Sequence, residues 1–290
     1  MAIHRLRLNS KELNGFSDNA RKQATSHGYY AKIDVGSAVN IHIASREPDA
    51  PFIPYKLLHA LRREAVAKGL PIKVYLPEHV GQDEGGAGNS SRLTLTFPIN
   101  IPAKTPETRL ASTRLSPEET GLFKQATSEG LHLNDFGTPV EFRSKLHAYK
   151  LSRGKNAESK RCASHMFDNV RIDASLFDQE GNRTEHRPTE LDFITINHPL
   201  KRIQLFELYN KHTNNLDNKM RAWKVFQHNA GMHGYTVEPI ILIAKGDRKA
   251  DEEHVKRAII RAKKGALQQF PQVEVRSISV PFLKLRDIGR

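Results

Sequence analysis

The stretch from Glu190 to His212, ELDFITINHPLKRIQLFELYNKH, sets two carboxylates, Asp192 and Glu207, into strongly apolar surroundings. Pro199 in His198-Pro199-Leu200-Lys201 forbids a regular strand and predicts a turn. Folding the chain back there sets Asn197 against Arg202, Ile196 against Ile203, Ile194 against Leu205 and Asp192 against Glu207. Side-chain alternation then predicts one face carrying Asp192, Ile194, Ile196, Ile203, Leu205 and Glu207. The other face is predicted to carry Leu191, Phe193, Phe206 and Leu208. Both faces are apolar, so these strands are expected to be central.

Directly opposed residues on neighbouring strands have Cβ atoms about 5 Å apart, where like charges repel. Burial makes that repulsion worse. Either one acid takes up a proton or a cation sits between the two. A Mg²⁺ or Mn²⁺ ion, held by a couple of carboxylates with waters and phosphate oxygens, would suit such a place. The bland alternative is a structural or solvent-facing pair. Glu190 shares the predicted face, as a further metal ligand or as a strand-end charge. Lys211 continues that face beyond Tyr209, within reach of a phosphate near the metal. A slip of one residue would carry Glu207 to the opposite face.

The elements that must position these residues are legible in part. SAVNIHIA alternates Val39, Ile41 and Ile43 as a half-buried strand does. Pro54 opens a helix whose stripe is Leu57, Leu58, Leu61 and Ala65, with Gly69 at its end. PIKVYLP and RLTLTFPI read as two further strands, joined by the Gly-rich GQDEGGAGNSS. That loop lacks the Lys-Ser/Thr ending of a phosphate-binding loop and joins strands, so it reads as a connection. Residues 102–118, with prolines at 102, 106 and 117, read as a linker. Ser116-Pro117-Glu118-Glu119 predicts a helix start: a cap, then proline, then acids in the first turn. A second helix carries Phe142, Leu146 and Tyr149 on one side and runs into a basic patch. After the hairpin come a helix with Met220, Trp223 and Phe226 or Gln227 inward, the strand VEPIILIAKG, a helix with Val255, Ile259, Ala262 and Ala266 inward, and a last strand VEVRSISVPFL. The sequence therefore predicts an α/β (α+β) chain. A smaller N-terminal α/β module, 1–101, is followed by the linker and by a mixed sheet with flanking helices in 119–290.

Composition narrows the partners. The chain has 290 residues, and its 45 Lys and Arg against 32 Asp and Glu give a formal charge of +13. Such an excess favours polyanions, nucleic acid first. The single cysteine, Cys162, excludes an internal disulfide and a cysteine-based zinc finger. No apolar run approaches the roughly 18 residues of a membrane span, and no secretory signal is visible. A cytoplasmic protein without membrane insertion is the expectation. His228, Asn229 and His233 sit too close together for an HNH nuclease motif and read as a helix end near Gly231 or Gly234.

On these residues the hairpin resembles the PD-(D/E)xK nuclease superfamily. TELDFITIN is similar to the family's first acidic strand, with Asp192 as its acid, and RIQLFELYNK to the second, with Glu207 as partner. The resemblance covers roughly residues 138–280 and implies a restriction-endonuclease-like sheet. It implies metal-assisted phosphodiester hydrolysis, with Asp192 and Glu207 holding one or two Mg²⁺ ions and a lysine steadying the developing charge. The family places that lysine two residues after the glutamate, where this chain has Tyr209. Lys211, about 7 Å further along an extended strand, or Lys219 or Lys224 on the following helix, would have to take its place. Lys150, Arg153, Lys155, Lys160 and Arg161 would grip phosphates without reading sequence. The expected function is a metal-dependent DNA nuclease or a nuclease-derived domain, its N-terminal module meeting DNA or a protein partner. The alternative, which Tyr209 favours, is a non-catalytic basic nucleic-acid-binding or assembly protein of a mobile-element, plasmid or phage system.

Overall fold

The structure, a computed structural model, describes residues 10–35, 38–47, 49–76, 79–80, 90–97, 115–128, 131, 142–146, 149–150, 165–209, 216–245, 249–264 and 273–279. Its elements run α1 (Ser10–Ser26), β1 (Tyr29–Val35), β2 (Val39–Ser45), α2 (Tyr55–Ala67), β3 (Ile72–Tyr75), β4 (His79–Val80), β5 (Ser90–Phe97) and α3 (Pro117–Ser128). Then follow β6 (His165–Phe177), β7 (Arg183–Asn197), β8 (Arg202–Leu208), α4 (Leu216–Gly231), β9 (Thr236–Lys245), α5 (Lys249–Lys264) and β10 (Glu274–Ser279). The chain is α+β: a mixed sheet in the order β1-β2-β3-β5-β6-β7-β8-β9-β10, with β4 paired to β5, flanked by helices.

β2 and β3 are parallel and linked through α2; β8, β9 and β10 are parallel and linked through α4 and α5. The remaining neighbours are antiparallel. Crossovers with one hand, stepping the same way across the sheet, put their helices on one face. The larger core follows from that: Phe16 of α1, Leu57 and Leu61 of α2, Trp223 and Phe226 of α4 and Val255 of α5 pack with Ile41, Val74, Leu95, Ile172 and Ile203 of the sheet. A smaller core on the other face joins Phe123 of α3, Phe142, Leu146 and Tyr149 to Met166, Phe193, Phe206, Leu208, Ile240 and Leu242.

The local signals are in place. Ser116 Oγ accepts from Glu119 N–H at 3.1 Å while Glu119 Oε2 accepts from Ser116 N–H at 2.8 Å, a reciprocal capping box at the start of α3. Gly69, past the end of α2, has φ +64, and Gly234, past α4, has φ +74, where a Cβ would be strained. The boundary expected at 102–118 does not divide the sheet. β5 pairs with β6 from Ser91↔Leu176 to Thr96↔Arg171, so both halves share one sheet and one core. β6, which makes this join, was not among the sequence-predicted strands. Neither were α1 and β1. Among the described residues no helix is long and apolar enough to cross a membrane.

Candidate functional site

The hairpin has the expected register: Asn197↔Arg202, Ile196↔Ile203 and Ile194↔Leu205 are paired across β7 and β8. Its turn is held by Lys201 N–H on His198 O at 2.9 Å, with Lys201 at φ 45. Ile194, Ile196, Ile203 and Leu205 face the larger core, and Phe193, Phe206 and Leu208 face the smaller one. Leu191 departs from expectation. It packs in the larger core rather than beside Phe193, so side-chain alternation breaks at Asp192.

The cause lies on the neighbouring strand. Asn169 has φ 49, the left-handed conformation that asparagine tolerates better than most residues. β6 pairs with β7 at Asp168↔Phe193 and again at Val170↔Leu191, with no ladder pair at the Asn169/Asp192 level between them. Phe167 and Val170 both face the larger core, as do Leu191 and Ile194. A strand has period two, so residues three apart share a face only if the chain turns over between them. Both strands do so at one level. The β7–β8 ladder ends at Phe193↔Phe206, and beyond it the Asp192 carboxylate takes over, Oδ2 accepting the Leu208 N–H at 2.6 Å.

Around this break four charged groups gather. Glu207 is 3% exposed, and Lys219 of α4 donates to both of its carboxylate oxygens at 2.6 Å. Lys145, 2% exposed in the helical residues 142–146, donates to Asn169 Oδ1 at 3.1 Å and lies 4.0 Å from Asp192 Oδ1. Burial pushes the Glu207 carboxyl up to about 8, and the Asp192 charge pushes in the same direction. The charge and hydrogen bond of Lys219, and then the charge of Lys145, pull it back without cancelling the rise. The predicted conflict between two acids is thus present. Lysines moderate it, and a carboxyl that holds its proton near neutrality resolves the rest.

Beneath the break lies an ion pair in the interior. Arg62 of α2 donates through Nη2 to Asp168 O at 2.7 Å and to Asp168 Oδ1 at 2.8 Å. The side chains are 3% and 0% exposed. The guanidinium anchors β6 at the residue before its left-handed turn, so it holds the platform on which Asn169 and Lys145 meet.

Of the residues read from the sequence, Asp192 and Glu207 come together, and Lys219 is the lysine that reaches them. Glu190 is exposed and sits opposite Arg171 of β6, on the strand leading into the site. Tyr209 is partly buried against the larger core. Lys224 is exposed on α4. Lys150 pairs with Glu118 at the start of α3. Lys211, Arg153, Lys155, Lys160 and Arg161 lie outside the described residues.

Lys145, Asn169 and the Arg62–Asp168 pair escaped the sequence reading. Lys145 had a readable signal, since it falls between Phe142, Leu146 and Tyr149 on the apolar stripe of its own segment. A charge there either snorkels or meets a buried partner. Arg62 had the same signal, next to Leu61 on the stripe of α2.

Among the described residues no three His, Cys, Asp or Glu side chains are grouped to share a metal ion. Two neighbouring carboxylates remain, Asp192 and Glu207, and hard divalent ions such as Mg²⁺ bind through one or two carboxylates completed by water and phosphate oxygens. The donor set fits such an ion once Lys219 yields Glu207. Replacing Lys219 by methionine should carry the Glu207 pKa above its present value, because one of the charges holding it down is gone. Carbon-13 NMR titration of the Glu207 carboxyl reads this directly, and an unchanged or lowered midpoint would show that Lys219 does not govern it.

No known family model matches the chain, and no curated protein matches it in sequence. Among solved structures, protein VC1899 from Vibrio cholerae is similar at 14% identity over 79% of this chain and 70% of that one, with a TM-score of 0.23. A likeness that slight carries no argument about fold or function.

Proposed function

We propose that the chain is a metal-dependent nucleic-acid phosphodiesterase whose centre is Asp192 and Glu207. The observation that carries this reading is the Glu207 carboxyl, raised first by burial and then by the Asp192 charge, and flanked by two lysines at a break shared by two strands. Central strands do not keep two acids and two lysines together without cost, and carboxyls perturbed by burial and a neighbouring acid recur at functional sites.

Asp192 Oδ1 and the Glu207 carboxylate would hold Mg²⁺ or Mn²⁺. When bound, such an ion supplies Lewis acidity toward a phosphate oxygen and makes water more acidic. The Leu208 N–H fixes the Asp192 carboxylate through its other oxygen. Lys219 takes the charge-steadying role that Tyr209 cannot, since it already reaches Glu207 from α4. Lys145, held by Asn169, sets a second positive charge beside Asp192. The net charge of +13 draws a polyanionic substrate, and DNA is the first candidate.

A specific observation favours the second reading, a basic nucleic-acid-binding or assembly protein without catalysis. Lys219 occupies both Glu207 oxygens, the position a metal would need. Calorimetric titration with Mn²⁺, beside an assay on plasmid, linear and single-stranded DNA and on RNA, separates the two. Saturable Mn²⁺ binding and cleavage, both lost in Asp192→Ala/Glu207→Ala, are expected. A folded wild type that neither binds Mn²⁺ nor cuts any of these substrates would leave the binding-protein reading in place.

A further inference from the structure

The smaller core covers only part of its face of the sheet. Over β1, β2, β3 and β5 no described helix packs on that side, and the side chains alternating with the core residues stand exposed or half-exposed there, apart from the buried Thr94. Cross-strand pairing sets Lys32, His42, Tyr75, Thr94 and Asp173 in one row across the sheet. The surface is concave, with a cavity of about 1030 Å³ whose walls include His42, Tyr75, Lys73, Arg92 and Arg46.

Two features of this cavity point to its ligand. Rings and cations are interleaved: the His42 and Tyr75 rings stack at 4.3 Å with 5° between their planes, Lys73 Nζ lies 5.0 Å from the Tyr75 centroid, and the Arg46 guanidinium lies 4.2 Å from the centroid of Tyr30. Tyr30 itself is 56% exposed, on the edge strand of the same face. The charge balance is also positive. The acids lining the cavity are Glu47 and Asp173, the latter engaged by His186 Nε2, against Lys73, Arg92, Arg46 and Arg183, and on the same face Asp34 is met by Lys32 and His42. Aromatic side chains set among cations along an open groove bind unstacked bases and a phosphate backbone together. A duplex offers mainly phosphates to such a surface, since its bases are stacked within.

We infer that this open sheet face is a binding groove for single-stranded nucleic acid, with Tyr30, His42 and Tyr75 contacting bases and Lys73 and Arg92 contacting phosphates. The inference rests on the nucleic-acid part of the proposed function and not on catalysis. The groove adjoins the site along β6 and β7: from Asp173 the same face continues through the Arg171↔Glu190 pair to Asn169 and Asp192. A strand lying in the groove would be led along these rows toward Asp192.

The test uses full-length Asp192→Ala/Glu207→Ala protein in EDTA, so that neither cleavage nor metal binding enters the reading. Fluorescence anisotropy is followed with labelled oligothymidylate and oligouridylate of about 12 nucleotides, within the span of such grooves, and with a duplex of the same length. Tyr75→Ala is expected to weaken single-strand binding about tenfold or more, and Tyr75→Phe to restore it, because stacking needs the ring and not the hydroxyl. Lys73→Ala/Arg92→Ala is expected to reduce the slope of log K against log salt by about 1.4, two phosphate contacts on a single strand. Comparable effects on the thymidylate and uridylate strands mark the shared chemistry; effects on one alone name the nucleic acid. The inference is overturned if Tyr75→Ala with unchanged melting temperature binds as before, if the double variant keeps the full salt slope, or if the duplex binds more tightly than either strand. Equal competition by thymidine monophosphate would overturn the strand reading in favour of a mononucleotide pocket. Failure of the metal site appears only in the Mn²⁺ titration, so the two outcomes are separable.

Discussion

Arg62→Met is expected to lower the unfolding free energy by about 3–5 kcal/mol, the usual cost of removing one partner from a buried ion pair. The substitution keeps an unbranched side chain of similar reach and removes only the guanidinium. What it leaves is the Asp168 carboxylate, 0% exposed, without the donor that lies 2.8 Å from Oδ1 and 2.7 Å from its backbone oxygen. Burying charge in apolar surroundings without its counter-ion is costly, and the fold pays either in stability or by protonating the acid. The companion Arg62→Met/Asp168→Leu separates two roles. If the pair only neutralises itself, replacing both members should recover most of the loss. If the guanidinium is needed to set β6 at its left-handed residue, the double variant stays destabilised. Denaturant unfolding monitored at Trp223, which is buried in the larger core, reads all three proteins. A loss below about 1 kcal/mol in the single variant, the range of an exposed pair, would contradict the buried placement.

Glu207 is expected to make the metal-free protein less stable as pH rises. Its carboxyl stands at about 8 in the fold against an ordinary value of 4.5. Between these values the folded state holds a proton that the unfolded chain has released. Unfolding free energy therefore falls with increasing pH throughout that window and levels off above about 8. At roughly 1.4 kcal/mol for each pKa unit, the whole window is worth several kcal/mol. Glu207→Gln carries no titrating group, so its stability should be nearly flat across the same range and higher than wild type at pH 8. Thermal unfolding of both proteins between pH 5 and 9 reads the difference. A wild-type profile that rises across the window would mean that the lysines hold Glu207 ionised throughout. The same proton links to the proposed ion. A divalent cation taking Glu207 must displace that proton, so Mn²⁺ binding should strengthen up to about pH 8 and show a heat that varies with the buffer's ionisation enthalpy.

These expectations concern residues of different legibility. The β7–β8 register was readable because a hairpin is local: Pro199 placed the turn, and two apolar faces left one alignment that buries them. The helix stripes of α2 and α4 and the capping box of α3 were readable for the same reason, since their partners lie within three or four residues. The two carboxylates could therefore be brought near each other from sequence alone.

What happens at the carboxylates was decided elsewhere in the chain. β6 escaped detection because Asp168, Asn169 and Asp173 interrupt its apolar pattern, and those polar groups are met by Arg62 and Lys145 from distant segments and by His186 from the next strand. Its pairing with β5 joins strands separated by a long stretch of chain, and no local signal reports such a contact. The turn-over at Asn169 passes through the sheet to Asp192, so a strand predicted to alternate without interruption does not. From sequence, then, come the acidic pair, its register, the helices and the positive charge. From the tertiary structure alone come Lys145, the choice of Lys219 among the candidate lysines, the break that positions them and the basic sheet face that no described helix covers. Alternation and capping are properties of neighbouring residues; compensation of buried charge depends on whatever the whole fold brings alongside.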